Sequence, residues 1–324
     1  MSCEPILPDK EYNGGVNDAP KYDYVTFPRR FLAYRWFKPL LVAALGLVFM
    51  LVFQLALLVT GHVWSPDPNF IYTISSSYDD MNPYTGPGAL VEIGGIAAML
   101  PALALAALIV RDRPLSSYSS SRGGWNWGAF LKCLAVAAAV VGTFAVVDLL
   151  IPSGGDGDGV YRFTVEGVIL CVALTPLQCV AEEYVFRGLL MQTIGAWTRL
   201  PLLAVTISAA LFAASHPYNL IGVATIFIDG LVWGALTWKT SGLEATSAVH
   251  IANNMLAFLL GGFGLQATTS EVDVLSAAVM LAIDIIYAAA IILLGKKFNW
   301  FSSKGDGAAA FNEEALAKRR REQL

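Results

Sequence analysis

Charge is what this 324-residue chain has least of: 14% of its residues are Asp, Glu, Lys or Arg, against 56% hydrophobic. So little polar cover excludes an ordinary soluble domain, and a mean hydropathy of +0.58 indicates an integral membrane protein. The formal net charge of -4 says little about partners, because charges are segregated along the chain. No nucleic acid is expected among them. Cysteine is also scarce. Of Cys3, Cys133, Cys171 and Cys179, the last three lie in apolar runs where thiols act as small hydrophobes, so neither a disulfide framework nor a zinc-knuckle spacing is present. Residues 1–36 hold no apolar run, so a cleavable signal peptide is not expected and the first apolar segment is expected to stay as a spanning helix. Histidine is rarest, with three in the chain.

Apolar runs able to cross about 30 Å of hydrocarbon fall at 39–60, 90–110, 129–150, 163–194, 200–215, 221–238, 243–260 and 272–294. They predict an all-α polytopic fold of eight transmembrane helices, the fifth short and the fourth long. Polar tails at 1–38 and 296–324 flank this core at 39–295. Lys and Arg gather at one end of the runs, at Arg29, Arg30, Arg35, Lys38, Arg111, Arg113, Arg122, Arg199, Lys239, Lys296, Lys297 and the basic cluster 318–321. The loops 61–87 and 262–271 contain neither residue, and Arg162 is the exception on that side. The positive-inside rule therefore puts both termini in the cytoplasm of a multi-pass cell-membrane protein.

Three ionisable residues interrupt the fourth run. At that depth a charge costs roughly 2.5 to 3.5 kcal/mol, so Glu182, Glu183 and Arg187 need a reason to be there. Glu183 and Arg187 stand at i and i+4 with the acid first, the favourable order for an internal ion pair, and a structural role is the simplest reading of them. Glu182 lies about 100° round the helix. Two later runs carry the other partners, as Phe212 to His216 and as His250 to Asn254, the latter presenting an imidazole and an amide on one helical face. Glu182 and His216 are equally far from the turn at Arg199, which gives them a similar depth of roughly 25 Å if the two helices are antiparallel. His250 matches that depth if the turn projects into the cytosol, as the surplus length of the fourth run permits. The break at Pro217 then ends the fifth helix inside the slab, which is tolerated where backbone lines a wet cavity. An aqueous pocket bounded by the fourth, fifth and seventh helices is expected.

A desolvated carboxylate beside an imidazole can activate water, and a second imidazole with an amide can donate to the oxyanion formed at a peptide carbonyl. That set describes peptide hydrolysis. The plainer alternative is an interhelical hydrogen-bond network, worth about 0.6 kcal/mol per contact. An ion-coupled transporter lacks support, since no pair of interrupted helices recurs in two halves of the chain. Among other ionisable groups, Asp229 and Asp284 lie near mid-span and are expected to bond across helices or line the pocket. Asp148 and Glu166 near outer ends, and Glu244 near an inner one, are expected to be solvated. Glu92 lies near the outer end of the second run.

The sequences Glu182-Glu183 to Arg187, Phe212 to His216 and His250 to Asn254 match Glu-Glu-x-x-x-Arg, Phe-x-x-x-His and His-x-x-x-Asn in order, within 163–262. In this the chain resembles the CPBP or Abi intramembrane proteases, which include type II CAAX prenyl endopeptidases and bacteriocin-processing or self-immunity proteins. The resemblance implies an eight-helix endopeptidase in which Glu182 and His216 activate water and His250 and Asn254 hold the oxyanion. Its substrate would be a peptide or protein tail at the lipid bilayer, with lipidated tails and leader peptides as candidates. The alternative within the same resemblance is a non-catalytic scaffold or self-immunity protein that binds a peptide partner. No cofactor is required by any sequence feature. The family has also been described as metalloproteases, and Glu182, His216 and His250 are the alternative zinc ligands.

Overall fold

The computed structural model describes residues 23–76, 82–150, 157, 159–266, 271–302, 308 and 312–313. Residues 1–22 of the tail expected at 1–38 and the basic cluster 318–321 lie outside the described residues, as does the side chain of Asp148. A 3-10 turn at Phe27–Arg30 precedes α1 (Lys38–Trp64), α2 (Phe70–Ser76), α3 (Gly86–Ala97), α4 (Met99–Val110), the short α5 (Ser116–Ser119) and α6 (Trp127–Leu150). Then come α7 (Val165–Glu183), a π-helical segment (Tyr184–Met191), α8 (Gln192–Thr198), α9 (Pro201–Ala214), α10 (Leu220–Thr240), α11 (Glu244–Gly262) and α12 (Val274–Lys297).

Among the described residues, six stretches are long and apolar enough to cross a membrane: α1, Gly86–Val110, α6, Val165–Thr198, α10 and α12. The chain is an integral, multi-pass, all-helical membrane protein. The fifth and seventh expected runs are helical but fall outside this set. The 14 residues of α9 rise only about 21 Å. The 19 residues of α11 bury Glu244, Thr246, Ser247 and His250 against other helices instead of offering lipid an apolar face. These two elements carry the polar motifs, and packing in protein replaces hydrocarbon around them.

Local chemistry sets the boundaries. Pro101 has no N–H to donate, and its ring opposes the carbonyl of Ala97, so the second run breaks at Ala98 into α3 and α4. The Thr164 hydroxyl accepts from the Gly167 amide at 3.1 Å and opens α7. Asn219 caps α10 in the same way, through Gly222 at 2.8 Å. Arg199 and Ser241 turn the chain in the left-handed region, each at φ 59°. Close contacts then fix the helix pairs: a Cβ on Gly167 would meet the Tyr84 carbonyl oxygen at 1.8 Å, and one on Gly230 would meet Ala209 Cβ at 2.9 Å. Thus α3 lies on α7, and α9 on α10. The main core joins Phe130 and Cys133 of α6, Phe212 of α9, Trp233 of α10, Val249 of α11 and Tyr287 of α12.

One expectation changes at the edges of this core. Glu244 is not solvated. It is fully buried, its carboxylate accepting from Arg122 NH2 at 2.6 Å and from the Asn126 amide at 2.8 Å, because the loop before α6 folds over the start of α11. The N-terminal segment is packed from residue 23 onward. Tyr24 donates to the Tyr118 carbonyl at 2.7 Å, Arg29 to Ala196 at 2.8 Å, and Trp197 of α8 donates back to Trp36 at 2.8 Å.

Candidate active site

The helix that carries Glu182 continues without interruption from α7 through the π segment into α8, and it changes pitch immediately after Glu183. Wider π turns recur at functional sites, where they re-aim side chains and free carbonyls. Here Ser208 donates to the Phe186 carbonyl at 2.7 Å, and Arg113 to that of Gly188 at 3.3 Å. Arg187 stays paired with Glu183 across this change, its NH1 3.0 Å from Oε1.

His250, projecting from the middle of α11, lies between the two acids. Its Nε2 is 3.1 Å from Glu182 Oε2 and its Nδ1 is 3.1 Å from Glu183 Oε1. A neutral imidazole has one N–H, so both contacts can be hydrogen bonds only if the cluster holds one proton beyond a neutral ring and two carboxylates. All members are buried: Glu183 is 0% exposed, Arg187 1%, His250 3% and Glu182 7%. The Arg187 guanidinium also covers the Phe212 ring, 4.4 Å from its centroid, so the charges lie among aromatic faces and each other.

His216 lies beyond the last turn of α9, where Pro217 prevents the helix from continuing. Its Nδ1 is 2.7 Å from the Phe212 carbonyl, which assigns the N–H to that nitrogen and leaves Nε2 with its lone pair in the neutral ring. Among the described residues, nothing hydrogen-bonds to that Nε2. No hydrogen bond joins His216 to Glu182 among the described residues. Phe212 is the spacer between the imidazoles, its ring 4.7 Å from that of His216 and 6.2 Å from that of His250.

Asn254, half-buried one turn beyond His250, donates through Nδ2 to Gln178 Oε1 at 3.4 Å. Gln178 in turn donates through Nε2 to Glu182 Oε2 at 3.0 Å. The structure brings the expected residues together in a different pairing: Glu182 meets His250 and, through Gln178, Asn254, while His216 reaches the cluster through the ring of Phe212. Glu183 ties Arg187 to His250. Sequence reasoning missed Gln178, although a lone amide one turn before Glu182 on the same face was the available signal. It also missed Trp233, whose ring lies 4.8 Å from that of His250.

Of the three alternative zinc ligands, Glu182 and His250 touch, with His250 Nε2 3.1 Å from Glu182 Oε2, and among the described residues no three His, Cys, Asp or Glu side chains group as placed to hold a metal.

Residues 164–256, which hold all three motifs, match the family model described as type II CAAX prenyl endopeptidase Rce1-like. The uncharacterized protein YyaK of Bacillus subtilis strain 168 is 29% identical over 171 residues, covering 48% of this chain and 55% of that protein. The chain thus spans about half the length of that relative. Both findings are consistent with a member of the CPBP family. No solved structure matches the chain.

Proposed function

We propose that this chain is an intramembrane endopeptidase that hydrolyses a peptide bond in a membrane-associated peptide or protein tail. One observation carries the reading: Glu182 is held buried by Gln178 and His250, while the His216 ring, packed on Phe212 between the two imidazoles, engages a carbonyl through Nδ1 alone. Water placed between Glu182 and His216 loses a proton to this pair as its oxygen attacks the scissile carbonyl carbon. The carbonyl oxygen becomes an oxyanion. His250 Nε2–H and Asn254 Nδ2–H, which contact Glu182 and Gln178 in this structure, are its proposed donors, exchanging those partners for the substrate oxygen as charge develops. The proton then passes to the leaving amine, which separates the two products.

Eight helical passes with both tails in the cytoplasm, and a pocket bounded by α7, α9 and α11, complete the proposed architecture. The Rce1-like match supports a substrate tail at the membrane, as the description of that family implies. We propose that the reaction needs no metal ion, because a carboxylate and an imidazole are sufficient to take the proton of an attacking water. Stoichiometric zinc in the purified protein, lost together with activity on chelation, would overturn this. The reading as a whole is tested by peptide hydrolysis with purified protein and with Glu182→Gln. Loss of about 10²-fold or more in turnover is expected, and unchanged turnover would reject the mechanism in favour of a non-catalytic peptide-binding role.

A further inference from the structure

Helix α9 leads directly into His216, yet its own surface is almost entirely apolar. Thr206 and Ser208 are its only polar side chains, and Thr206 is exposed. Apolar burial is non-directional, so a helix of Ala, Leu and Val has little of its own to fix its position along a neighbour. Toward α10 the position is fixed by shape. A Cβ on Gly230 would meet Ala209 Cβ at 2.9 Å and one on Gly234 would meet Val205 Cγ1 at 2.9 Å, so α9 is seated closely on that helix.

Toward the helix that carries Glu182, the position is fixed by a hydrogen bond. Ser208 is 2% exposed, and its hydroxyl donates to the Phe186 carbonyl at 2.7 Å. Among the described residues, no other side chain of α9 hydrogen-bonds to another element. The acceptor is itself anchored. Phe186 lies in the π segment, where the helix changes pitch. Two residues on, the Gly188 carbonyl accepts from Arg113 NH2 at 3.3 Å, and the Tyr118 carbonyl oxygen stands where a Cβ on Gly188 would meet it at 2.9 Å.

Ser208 also begins a stripe, since Phe212 and His216 follow it at four and eight residues on the same side of the helix. The Phe212 ring lies 5.0 Å from that of Phe186, 4.4 Å from the Arg187 guanidinium and 6.2 Å from the His250 ring. His216 is carried on the same stripe, its ring 4.7 Å from that of Phe212. We propose that Ser208 is the register pin of α9: its bond to the Phe186 carbonyl sets where Phe212 and His216 stand against the helix of Glu182 and Arg187 and against His250. The placement of Phe212 is independent of any chemistry, whereas the consequence for His216 as a base rests on the proteolytic reading. Ser208 is a positioning residue and touches neither the attacking water nor the oxyanion.

The first arm of the test needs no substrate, so its failure is separable from a failure of the proteolytic reading. With three histidines in the chain, ring-proton spectra of labelled histidine in the full chain in lipid nanodiscs resolve His216 and His250, each identified by its loss in His216→Gln or His250→Gln. Both rings feel the aromatic ring of Phe212, but His216 moves with it and His250 belongs to α11. In Ser208→Ala the His250 signal should therefore shift while that of His216 stays. Ser208→Cys keeps the bulk with a weaker donor and should shift it less in the same direction, so the pin stays testable if the Ala variant fails to fold. A His250 signal unmoved in both variants refutes the pin, as does a shift confined to His216. The second arm follows hydrolysis of a prenylated CAAX-tail peptide as the probe, where Ser208→Ala should lower kcat about tenfold and leave KM within about twofold. Unchanged kcat beside a shifted His250 signal refutes the consequence for His216, and a raised KM with kcat kept would make Ser208 a substrate-binding residue instead. Failure of the wild-type protein to cleave this peptide bears on the proteolytic reading and not on the pin, which the spectra decide alone.

Discussion

The two imidazoles of the site are held in opposite ways. His250 is 3% exposed, engaged by acids at both nitrogens and enclosed between Trp233 and Phe212. His216 is half-buried, tied by one nitrogen to a carbonyl of its own helix end, with the other left open. The difference follows from where each residue falls. The middle of a helix packed on α6, α7, α10 and α12 leaves an imidazole no freedom, whereas the residue after a helix end, stopped by Pro217, has backbone on one side only. A hydrolytic site needs both conditions: a rigid donor that holds its place as charge develops, and a base with a lone pair to give.

The largest expected effect comes from the enclosed half. Glu183→Ala removes the partner of both Arg187 and His250, leaving a cation stranded in the core. A stability loss of about 3–5 kcal/mol is expected, read from denaturant unfolding in mild detergent. A second change, Arg187→Met, should recover part of it, since the charge that lost its partner goes too. A loss under about 1 kcal/mol would mean that this cluster is wetter than its burial indicates. The open half should behave in reverse. His216→Ala is expected to lower turnover by about 10² to 10⁴ while moving stability by less than about 0.5 kcal/mol. If that variant unfolds instead, His216 is a structural residue and the contrast between the two rings disappears.

The same contrast explains what the sequence disclosed. The helical runs are legible because lipid demands about 20 apolar residues per pass. The boundaries at Arg199, Asn219 and Ser241 follow from turn and cap chemistry. Convergence of Glu182, His216, His250 and Asn254 is legible too, since charge and imidazole at matching depths have few other places to go. Pairing is a different matter. Periodicity gives Glu183 to Arg187 but cannot say which acid faces which ring across helices. The π segment is equally hidden, because its widened turn depends on packing against Tyr118 and Ser208 and not on any local propensity. Glu244 looked solvated because a helix terminus is usually wet; Arg122, 122 positions away in the chain, is what buries it.

Gln178 links Glu182 to Asn254, and it comes next in expected size. Its amide donates to Glu182 and accepts from Asn254, so it sets the spacing between the acid and that amide. Gln178→Leu keeps the bulk and removes both bonds. About tenfold lower turnover and 1–2 kcal/mol of stability are expected, with Gln178→Glu worse than Leu because it sets a second acid beside Glu182. Turnover equal to wild type in Gln178→Leu would show that Glu182 is oriented by His250 alone.

The smallest effect separates two explanations of how His216 is aimed. Ser215 donates to the Phe212 carbonyl at 2.7 Å and lies 3.5 Å from His216 Nδ1. Both side chains therefore approach the same acceptor, and the imidazole is already 2.7 Å from it without help. If the carbonyl orients the ring, Ser215→Ala removes a competitor, and turnover should stay within about twofold, or roughly 0.4 kcal/mol. If the hydroxyl were the true partner, the ring would lose its tautomer preference, and the effect would approach that of His216→Ala. The distances favour the carbonyl, because a contact at 3.5 Å is near the limit of hydrogen bonding, while one at 2.7 Å is short even for a charged acceptor.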